Sequence, residues 1–273
     1  MNATPDENFG VTLLEAAAFS LPVIASPTGW PKEILKGYEN GWIEALHPDV
    51  QVGIATGRSR EVTQQALADY DLPVPDFFIC SAGSEIFYSE DFADDKGWRA
   101  HIDFQWKKNE LQSALADFPG LHLQEPAAQK RFKLSYYIAP DFNNERLTQL
   151  YRFMRDRKLH AKVLVTENRF LDLLPFRASK GSAVRYLSAK WKIPLDQIIT
   201  AGNSGNDLDM LKGKTKGIVV ANYSPELEVL RSNKSVYFAR NILAQGVLEG
   251  VEHYLANDLM LAPDLDPVAD TTD

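Results

Sequence analysis

At 273 residues, with 45% apolar and 24% charged residues, the chain has the composition of an ordinary soluble globule of one large or two modest domains. A net charge of −8 and the lack of any Lys/Arg block argue against nucleic acid or an anionic membrane as a partner. The single cysteine, Cys80, rules out an internal disulfide, and with no signal-peptide pattern or long apolar stretch this predicts a cytoplasmic protein.

Residues 1–48 form a first segment. A helix is predicted after Gly10, a buried strand over residues 21–25 and a second strand from Gly41. Glu7 precedes the helix and Glu15 lies in its second turn. Two glutamates around a helix start are usually solvated, so their spacing alone defines no binding site.

A second segment begins after residues 47–49 (His-Pro-Asp). A strand over residues 51–55 leads into Thr56-Gly57-Arg58-Ser59 and a helix to about residue 70. Ser59 suits a helix N-cap, which gives this turn a purely structural interpretation. Its place at a strand end also makes it a candidate anion-binding turn, and the two interpretations are compatible. Strands over residues 76–80 and 84–88 follow.

The sequence pattern changes between residues 90 and 169, where aromatic and amphipathic segments alternate. Helices are predicted over residues 108–118 and 143–158, and strands over 132–138 and 161–166. This predicts an inserted α+β block. The polar and aromatic residues of this block that could bind a ligand are His101, Asp103, Trp106, Gln129, Lys130 and Lys133. Taken singly, each of them is weak evidence for a binding site, because such residues more often have a structural role.

The stretch from residue 171 to 211 carries the strongest pattern. An apolar run over residues 171–174 leads to Lys180 in the first turn of a helix, where a lysine opposes the macrodipole at a cost of ~0.3–1 kcal/mol. In one interpretation Lys180 is a solvated lysine and the helix tolerates this cost. In the other, Lys180 is a cation placed to bind an anion at the helix N-terminus. The next strand, over residues 198–201, ends in Gly202-Asn203-Ser204-Gly205-Asn206-Asp207. An acidic turn beside a cation favours phosphoryl chemistry.

The chain closes with predicted strands over residues 217–220 and 236–239 and a helix over 246–254. Residues 257–273 are acidic and rich in proline towards their end, and they are expected to be disordered.

Several short sequence segments resemble those of a known family. Lys180 and the turn over residues 202–207 resemble the third and fourth motifs of the haloacid-dehalogenase (HAD) superfamily. Three phrases resemble its sucrose-phosphatase-like branch, which occurs alone or fused behind sucrose-phosphate synthase: Phe132-Lys-Leu-Ser-Tyr-Tyr137, Leu174-Pro-Phe-Arg-Ala-Ser-Lys180 and Asn222-Tyr-Ser-Pro-Glu226. The resemblance implies an α/β fold: a HAD-like Rossmannoid parallel sheet over residues 49–89 and 170–256, with an α+β cap over 90–169.

The resemblance also implies a site. Thr56 would hydrogen-bond the transferring phosphoryl group, as the second motif does, and Lys180 would stabilise its charge. Sucrose 6-phosphate is the implied substrate and Mg²⁺ the implied cofactor. The implied substrate-binding residues are Gly57, Arg58, His101 and Lys133, and the implied metal ligands are Asn203, Asn206 and Asp207.

The first segment resembles the nucleotide-sugar site of GT-B retaining glycosyltransferases, including the sucrose-phosphate synthase group. There, the residue matching Glu7 faces the donor sugar and the one matching Glu15 holds the ribose. Because a GT-B enzyme needs two Rossmann-like domains, these glutamates are expected to be remnants of a site. A glycosyltransferase is a candidate partner.

One essential motif is missing. HAD chemistry needs Asp-x-Asp-x-Thr after the first core strand, where the first carboxylate attacks phosphorus. The chain has only Asp49 nearby, and Asn203 replaces an aspartate of the family turn. Because an amide lacks the charge that holds Mg²⁺, weak metal binding is expected. A deletion between residues 46 and 51 explains both the fragment and the lost strand.

Three hypotheses follow. The chain is a sugar-phosphate-binding domain with impaired hydrolysis; an active Mg²⁺-dependent phosphatase with an unrecognised nucleophile, Asp49 being the first suspect; or a structural or regulatory module of a synthase. The gap left in the sheet is filled by residues 23–25, filled by residues 42–45, or left as an open edge.

Overall fold

The computed structural model of the chain describes residues 51–69, 72, 74–89, 92–166 and 168–254, and the backbone of residues 23–25 and 255–261. The expectations for Glu7, Glu15, Asp49 and the strand from Gly41 lie outside these residues. No helix in the described part of the chain is long and apolar enough to cross a membrane.

The strands, in chain order, are β1 (Val23–Ala25), β2 (Gly53–Ala55), β3 (Phe77–Cys80), β4 (Glu85–Tyr88), β5 (Leu121–Leu123), β6 (Leu134–Ile138), β7 (Ala161–Thr166), β8 (Phe170–Pro175), β9 (Ile199–Gly202), β10 (Lys216–Val219) and β11 (Val236–Phe238). The α-helices are α1 (Arg60–Asp69), α2 (Lys96–Ile102), α3 (Lys108–Ala114), α4 (Asn144–Asp156), α5 (Lys180–Trp191), α6 (Leu208–Leu211) and α7 (Leu243–Leu261).

The larger sheet has the order β11-β10-β9-β1-β2-β3-β4. Each neighbouring pair is parallel except β3 and β4, which are antiparallel. Parallel strands are covered on both faces and read as continuous apolar runs, and Phe77–Cys80 is buried throughout. Apolar residues of β2, β3, β9, β10 and α7 share one core cluster. Strands β2, β3, β9 and β10 end at or within one residue of the ends predicted from the sequence.

The gap left by the missing first strand is filled by β1. This strand pairs with β9 on one side and with β2 on the other, so it lies at the centre of the sheet. Ile24 is level with Gly53 of β2 and with Thr200 of β9. The first of the three alternatives drawn from the sequence is therefore the one the structure contains.

The smaller sheet is antiparallel and has the order β5-β6-β8-β7. Leu111 of α3 and Leu150 of α4 pack with its buried face in a second core cluster. This is the inserted α+β cap. Its sheet includes β8, whereas the sequence boundary at residue 169 assigned that strand to the core. Leu171 and Leu173 face the cap's own cluster, which explains why β8 pairs there.

The last helix is longer than predicted. Helix α7 begins at Leu243 and its backbone continues to Leu261, so the expectation of a disordered tail from residue 257 is wrong for residues 257–261. Leu259, Met260 and Leu261 are residue types that continue a helix readily.

Candidate functional site

The turn after β2 is the first part of the candidate site. Thr56 is 1% exposed, and its backbone N–H donates to the carbonyl of Ile79 at 2.8 Å. The Thr56 hydroxyl oxygen accepts a hydrogen bond from the Arg58 N–H at 3.1 Å. Because the hydroxyl acts there as an acceptor, its own proton can still be donated to a ligand oxygen.

Lys180 is the second part. Ser179 caps α5 with its side chain, which accepts from the Ser182 N–H at 3.0 Å, and Lys180 is the first helical residue. Although charged, Lys180 is only 1% exposed. Its ammonium donates to Oδ1 of Asp207 at 2.8 Å and to Oδ1 of Asn206 at 3.0 Å. Burial of a lysine requires such partners, so this cation is held in place by the turn after β9.

Gly83 fixes the start of α5 against the turn after β3. Its φ of +95° lies in the left-handed region, and a Cβ built there would stand 2.1 Å from the carbonyl carbon of Ser179. Only glycine allows this backbone-to-backbone approach. The position of the helix that carries Lys180 is thus set by a turn on the other side of the sheet centre.

The turn after β9 is built around Asp207, which is 0% exposed. Its Oδ2 accepts from the backbone N–H groups of Asn203 and Ser204 and from the Ser204 hydroxyl, each at 3.1 Å. Its Oδ1 accepts from Lys180. Both carboxylate oxygens are therefore occupied by donors from the turn and from the lysine.

The two turns face each other at the carboxyl edge of the sheet. A Cβ on Gly57 would lie 3.8 Å from Nδ2 of Asn206, which puts the turn after β2 beside the turn after β9. The structure thus gathers the residues that the sequence singled out in the core, at the edge where open α/β sheets bind ligands. They are Thr56, Gly57, Arg58, Lys180, Asn203, Asn206 and Asp207.

These residues, as placed, do not fit Mg²⁺. The Asn206 carbonyl oxygen is already bound by Lys180 and by the Ser204 hydroxyl at 2.8 Å, and Asp207 is fully engaged. Oδ1 of Asn203 is buried and has no hydrogen-bond partner in the described part of the chain, but one neutral oxygen is a poor Mg²⁺ site. Among the described residues, no group of three or more His, Cys, Asp or Glu could hold a metal.

The cap contributes a second polar group. The Lys133 ammonium lies 3.1 Å from Oδ2 of Asp172, with both side chains less than one fifth exposed (17% and 14%). The Ser135 hydroxyl donates to Oδ1 of Asp172 at 2.6 Å, and Ser135 and Asp172 are direct cross-strand partners on β6 and β8. Lys133 was predicted from the sequence as a ligand-binding candidate, whereas Ser135 and Asp172 were not. A polar residue at matching positions of two apolar strands is the pattern that indicates this pair.

His101 does not join that group in the structure. It lies on α2, is exposed, and stacks on the Trp98 ring with centroids 5.6 Å apart. Its backbone carbonyl accepts from the Arg177 guanidinium at 3.2 Å. Arg177 also lies 4.0 Å above the Phe104 ring. Through Arg177, the two chain segments that connect core and cap are tied to each other.

A buried carboxylate anchors the start of the cap. Asp95 caps α2 by accepting from the Trp98 N–H at 2.8 Å, and it also accepts from Tyr88, from Tyr186 at 2.8 Å and from the Lys190 ammonium at 2.7 Å. Burial alone would raise the pKa of Asp95, but these hydrogen bonds, led by that of Lys190, lower the pKa to about 2.

The cap touches the core on both sides of the candidate site. The Lys130 ammonium binds Oε2 of Glu61 in the first turn of α1, at 3.2 Å. The pKa of Glu61 is lowered to about 2, chiefly by hydrogen bonds from its own N–H and from Ser59, with Lys130 adding to the effect. On the opposite side, β7 lies against the turn over residues 205–207. The cap therefore spans the carboxyl edge of the core sheet.

Solved structures with the same architecture identify the class. A haloacid dehalogenase-like hydrolase of Bacillus subtilis has a TM-score of 0.59 at 16% identity, covering 91% of this chain and 95% of that chain. The sucrose-phosphatase of Synechocystis sp. PCC6803, solved in complex with sucrose and phosphate, has a TM-score of 0.77 at 25% identity, covering 86% and 98%. Fold and strand-edge site together define a HAD-like phosphatase core with an inserted cap.

The family follows from the sequence comparisons. The chain belongs to the Sucrose-6F-phosphate phosphohydrolase family, whose profile matches residues 32–255. Residues 1–52 match the profile of Glycosyl transferases group 1, so a glycosyltransferase fragment precedes the phosphatase-like domain. Both resemblances drawn from the sequence are confirmed.

Three curated relatives have sequence identities to this chain that lie close to one another. A HAD-like hydrolase of Nitrosococcus oceani is 32% identical over 77% of this chain, sucrose-phosphatase 2 of Nicotiana tabacum 29% over 73%, and glucosylglycerol-phosphate synthase of Pseudomonas anguilliseptica 31% over 83%. The matches span 63%, 49% and 29% of those proteins' own lengths. The chain thus covers less than two thirds of the length of each of these relatives.

Proposed function

We propose that this chain binds a sugar phosphate, sucrose 6-phosphate first among candidates, between its core edge and its cap, and hydrolyses it at most very slowly. Sugar-phosphate binding is supported by the solved relative that holds sucrose and phosphate. The observation that carries the proposal is a buried cation, Lys180, bound to Asn206 of the turn that lies beside the Thr56-Gly57 turn. The carboxylate bound to this cation, Asp207, accepts hydrogen bonds at both oxygens and so is not placed to attack a phosphoryl group.

The binding chemistry uses residues already in place. The Thr56 hydroxyl, which accepts from the Arg58 N–H, can donate its own proton to a phosphate oxygen, and the Lys180 charge stabilises an anion nearby. In the cap, the partly exposed Lys133 and Asp172 offer a donor and an acceptor suited to sugar hydroxyls, and the buried Ser135 hydroxyl holds Asp172 in place. These groups hold and orient a ligand but form no bond to phosphorus.

The catalytic step lacks its nucleophile. Family chemistry requires a carboxylate at the end of the strand next to β2 and β9, and β1 occupies that place. The sequence from residue 16 to residue 32, on both sides of β1, contains no Asp, Glu, His or Cys. Asp207 cannot substitute as placed, because both of its oxygens accept hydrogen bonds at the base of the turn. No step of the proposal uses Mg²⁺, since the residues as placed do not fit it.

The test is calorimetric binding of sucrose 6-phosphate beside a phosphate-release assay with Mg²⁺, on the full chain. We expect binding without multiple turnovers. Thr56→Val should weaken binding about tenfold or more, because a hydrogen bond to a charged group contributes roughly 1.5–3 kcal/mol. The matched control is Lys214→Gln, an exposed residue before β10 at the opposite edge of the sheet, which should bind as the wild type does.

Two outcomes would contradict the proposal. Multiple turnovers would favour an active phosphatase with a nucleophile from another part of the chain. Absence of both binding and release would favour a structural or regulatory module, for which a glycosyltransferase is the proposed partner because its family supplies the first segment.

A further inference from the structure

The central strand of the phosphatase-like sheet comes from the other family segment. β1 (Val23–Ala25) lies within the glycosyltransferase match over residues 1–52 and outside the phosphohydrolase match over residues 32–255. It nevertheless has parallel neighbours on both sides. The boundary between the two families therefore does not coincide with a boundary in the fold.

β1 joins two halves of the sheet. Strands β11, β10 and β9 lie on one side of it, and β2, β3 and β4 on the other. The core cluster beneath the sheet contains Ile54 and Phe78 from one half and Ile199 and Ile218 from the other, each no more than 1% exposed. Removal of β1 would leave two unpaired inner strand edges above a shared apolar core, which parallel sheets do not tolerate.

The same strand positions the two turns of the candidate site. Ala25 is level with Ile54 of β2 and with Ala201 of β9, and all three strands run in the same direction. The separation between Thr56, which follows β2, and Asn203, which follows β9, is therefore set by one intervening strand, about 9–10 Å for two inter-strand spacings. Without β1, no strand connects β2 to β9, and the distance between the Thr56 turn and the turn that holds Lys180 is no longer fixed.

We infer that β1 has replaced the first strand of the phosphatase core, so that the glycosyltransferase-derived segment and the phosphatase-like domain form one folding unit and the anion pocket exists only when that segment is seated in the sheet. The role of β1 in this chain is architectural. This inference does not depend on the identity of the ligand, since inorganic phosphate suffices to report the pocket.

A cysteine pair tests the seating directly in the full chain. Ala25 and Ala201 are Cα partners on neighbouring strands, about 5 Å apart and within the range that a disulfide spans. Ala25→Cys with Ala201→Cys should close on oxidation, as mapped by mass spectrometry of peptides. Trp42→Cys with Ala201→Cys, from the other apolar stretch of the first segment, should not close. Closure of the second pair instead of the first would overturn the inference.

A proline pair tests the consequence. Ile24→Pro removes a ladder hydrogen bond from a central strand and should lower the unfolding midpoint by about 10 °C or more and abolish phosphate binding. Ile43→Pro, the same change in the alternative stretch, should do neither. If Ile24→Pro unfolds at the wild-type temperature and still binds phosphate, the two segments are independent and the inference is wrong, whatever the cysteine pair shows.

Discussion

Substitution of Asp95 by asparagine removes one negative charge from the place where the cap begins, with almost no change in shape. Asp95 is 3% exposed and accepts hydrogen bonds from two tyrosine hydroxyls, one ammonium and one backbone N–H. An asparagine offers one carbonyl oxygen and turns an NH₂ group towards the remaining donors. The variant therefore leaves Lys190 and at least one tyrosine poorly paired.

The magnitude follows from the pKa of Asp95. Its shift from 3.8 to about 2 corresponds to about 2 kcal/mol of folding free energy. Because the folded pKa is the lower one, this stabilisation is complete above the unfolded pKa and is lost as the pH falls from about 4 towards 2. For a chain of this size the variant should unfold roughly 4–8 °C below the wild type at pH 7.

Thermal or urea unfolding at pH 7 and pH 3 measures the effect, and the difference between variant and wild type should shrink at the lower pH. Asp94→Asn is the matched control, since Asp94 pairs with Arg99 at the surface and such exposed pairs contribute about 0–1 kcal/mol. An Asp95→Asn variant as stable as the wild type, or one equally destabilised at both pH values, would refute the reasoning.

Three further changes have defined outcomes. Gly83→Ala should destabilise the chain and weaken phosphate binding together, because the added methyl collides with the backbone of Ser179; unchanged phosphate affinity by calorimetry would contradict this. Tyr136→Phe should leave stability to urea unchanged or raise it by about 1 kcal/mol, since the buried hydroxyl has no partner among the described residues; a clear loss would show that it has one. Lys130→Ala should raise the pKa of Glu61 only slightly in an NMR titration, because backbone and Ser59 hydrogen bonds dominate; a return to the ordinary value would assign the shift to the ion pair instead.

The core of the candidate site could be predicted because its signals are local. A buried strand, a Gly-rich acidic turn and a helix start with an unusual lysine stand within one stretch of sequence, and the topology of parallel sheets brings such turns to one edge. The partners of these residues were less visible. Asp95 and Lys190 are 95 residues apart and Glu61 and Lys130 are 69 apart, so no periodicity connects them.

The sequence did not show to which of the two sheets a short apolar run belongs. Residues 171–174 lead directly to Lys180, which suggested a core strand, yet β8 belongs to the antiparallel cap sheet. Periodicity over a few residues does not distinguish a strand of one sheet from a strand of another, because both are buried and apolar. For the same reason the sequence left residues 23–25 and 42–45 as equal candidates for the gap.

The three-residue strand β1 shows how little a parallel sheet requires of its central strand. Its contribution to the sheet is a direction, a register and a few ladder hydrogen bonds, none of which depends on ancestry. Rossmann-like domains of unrelated activity contain many strands of this kind. Where two such domains are joined, an upstream strand in the right orientation can complete the sheet of the second domain. A parallel sheet can thus take its central strand from a segment of another family and keep its strand direction and register.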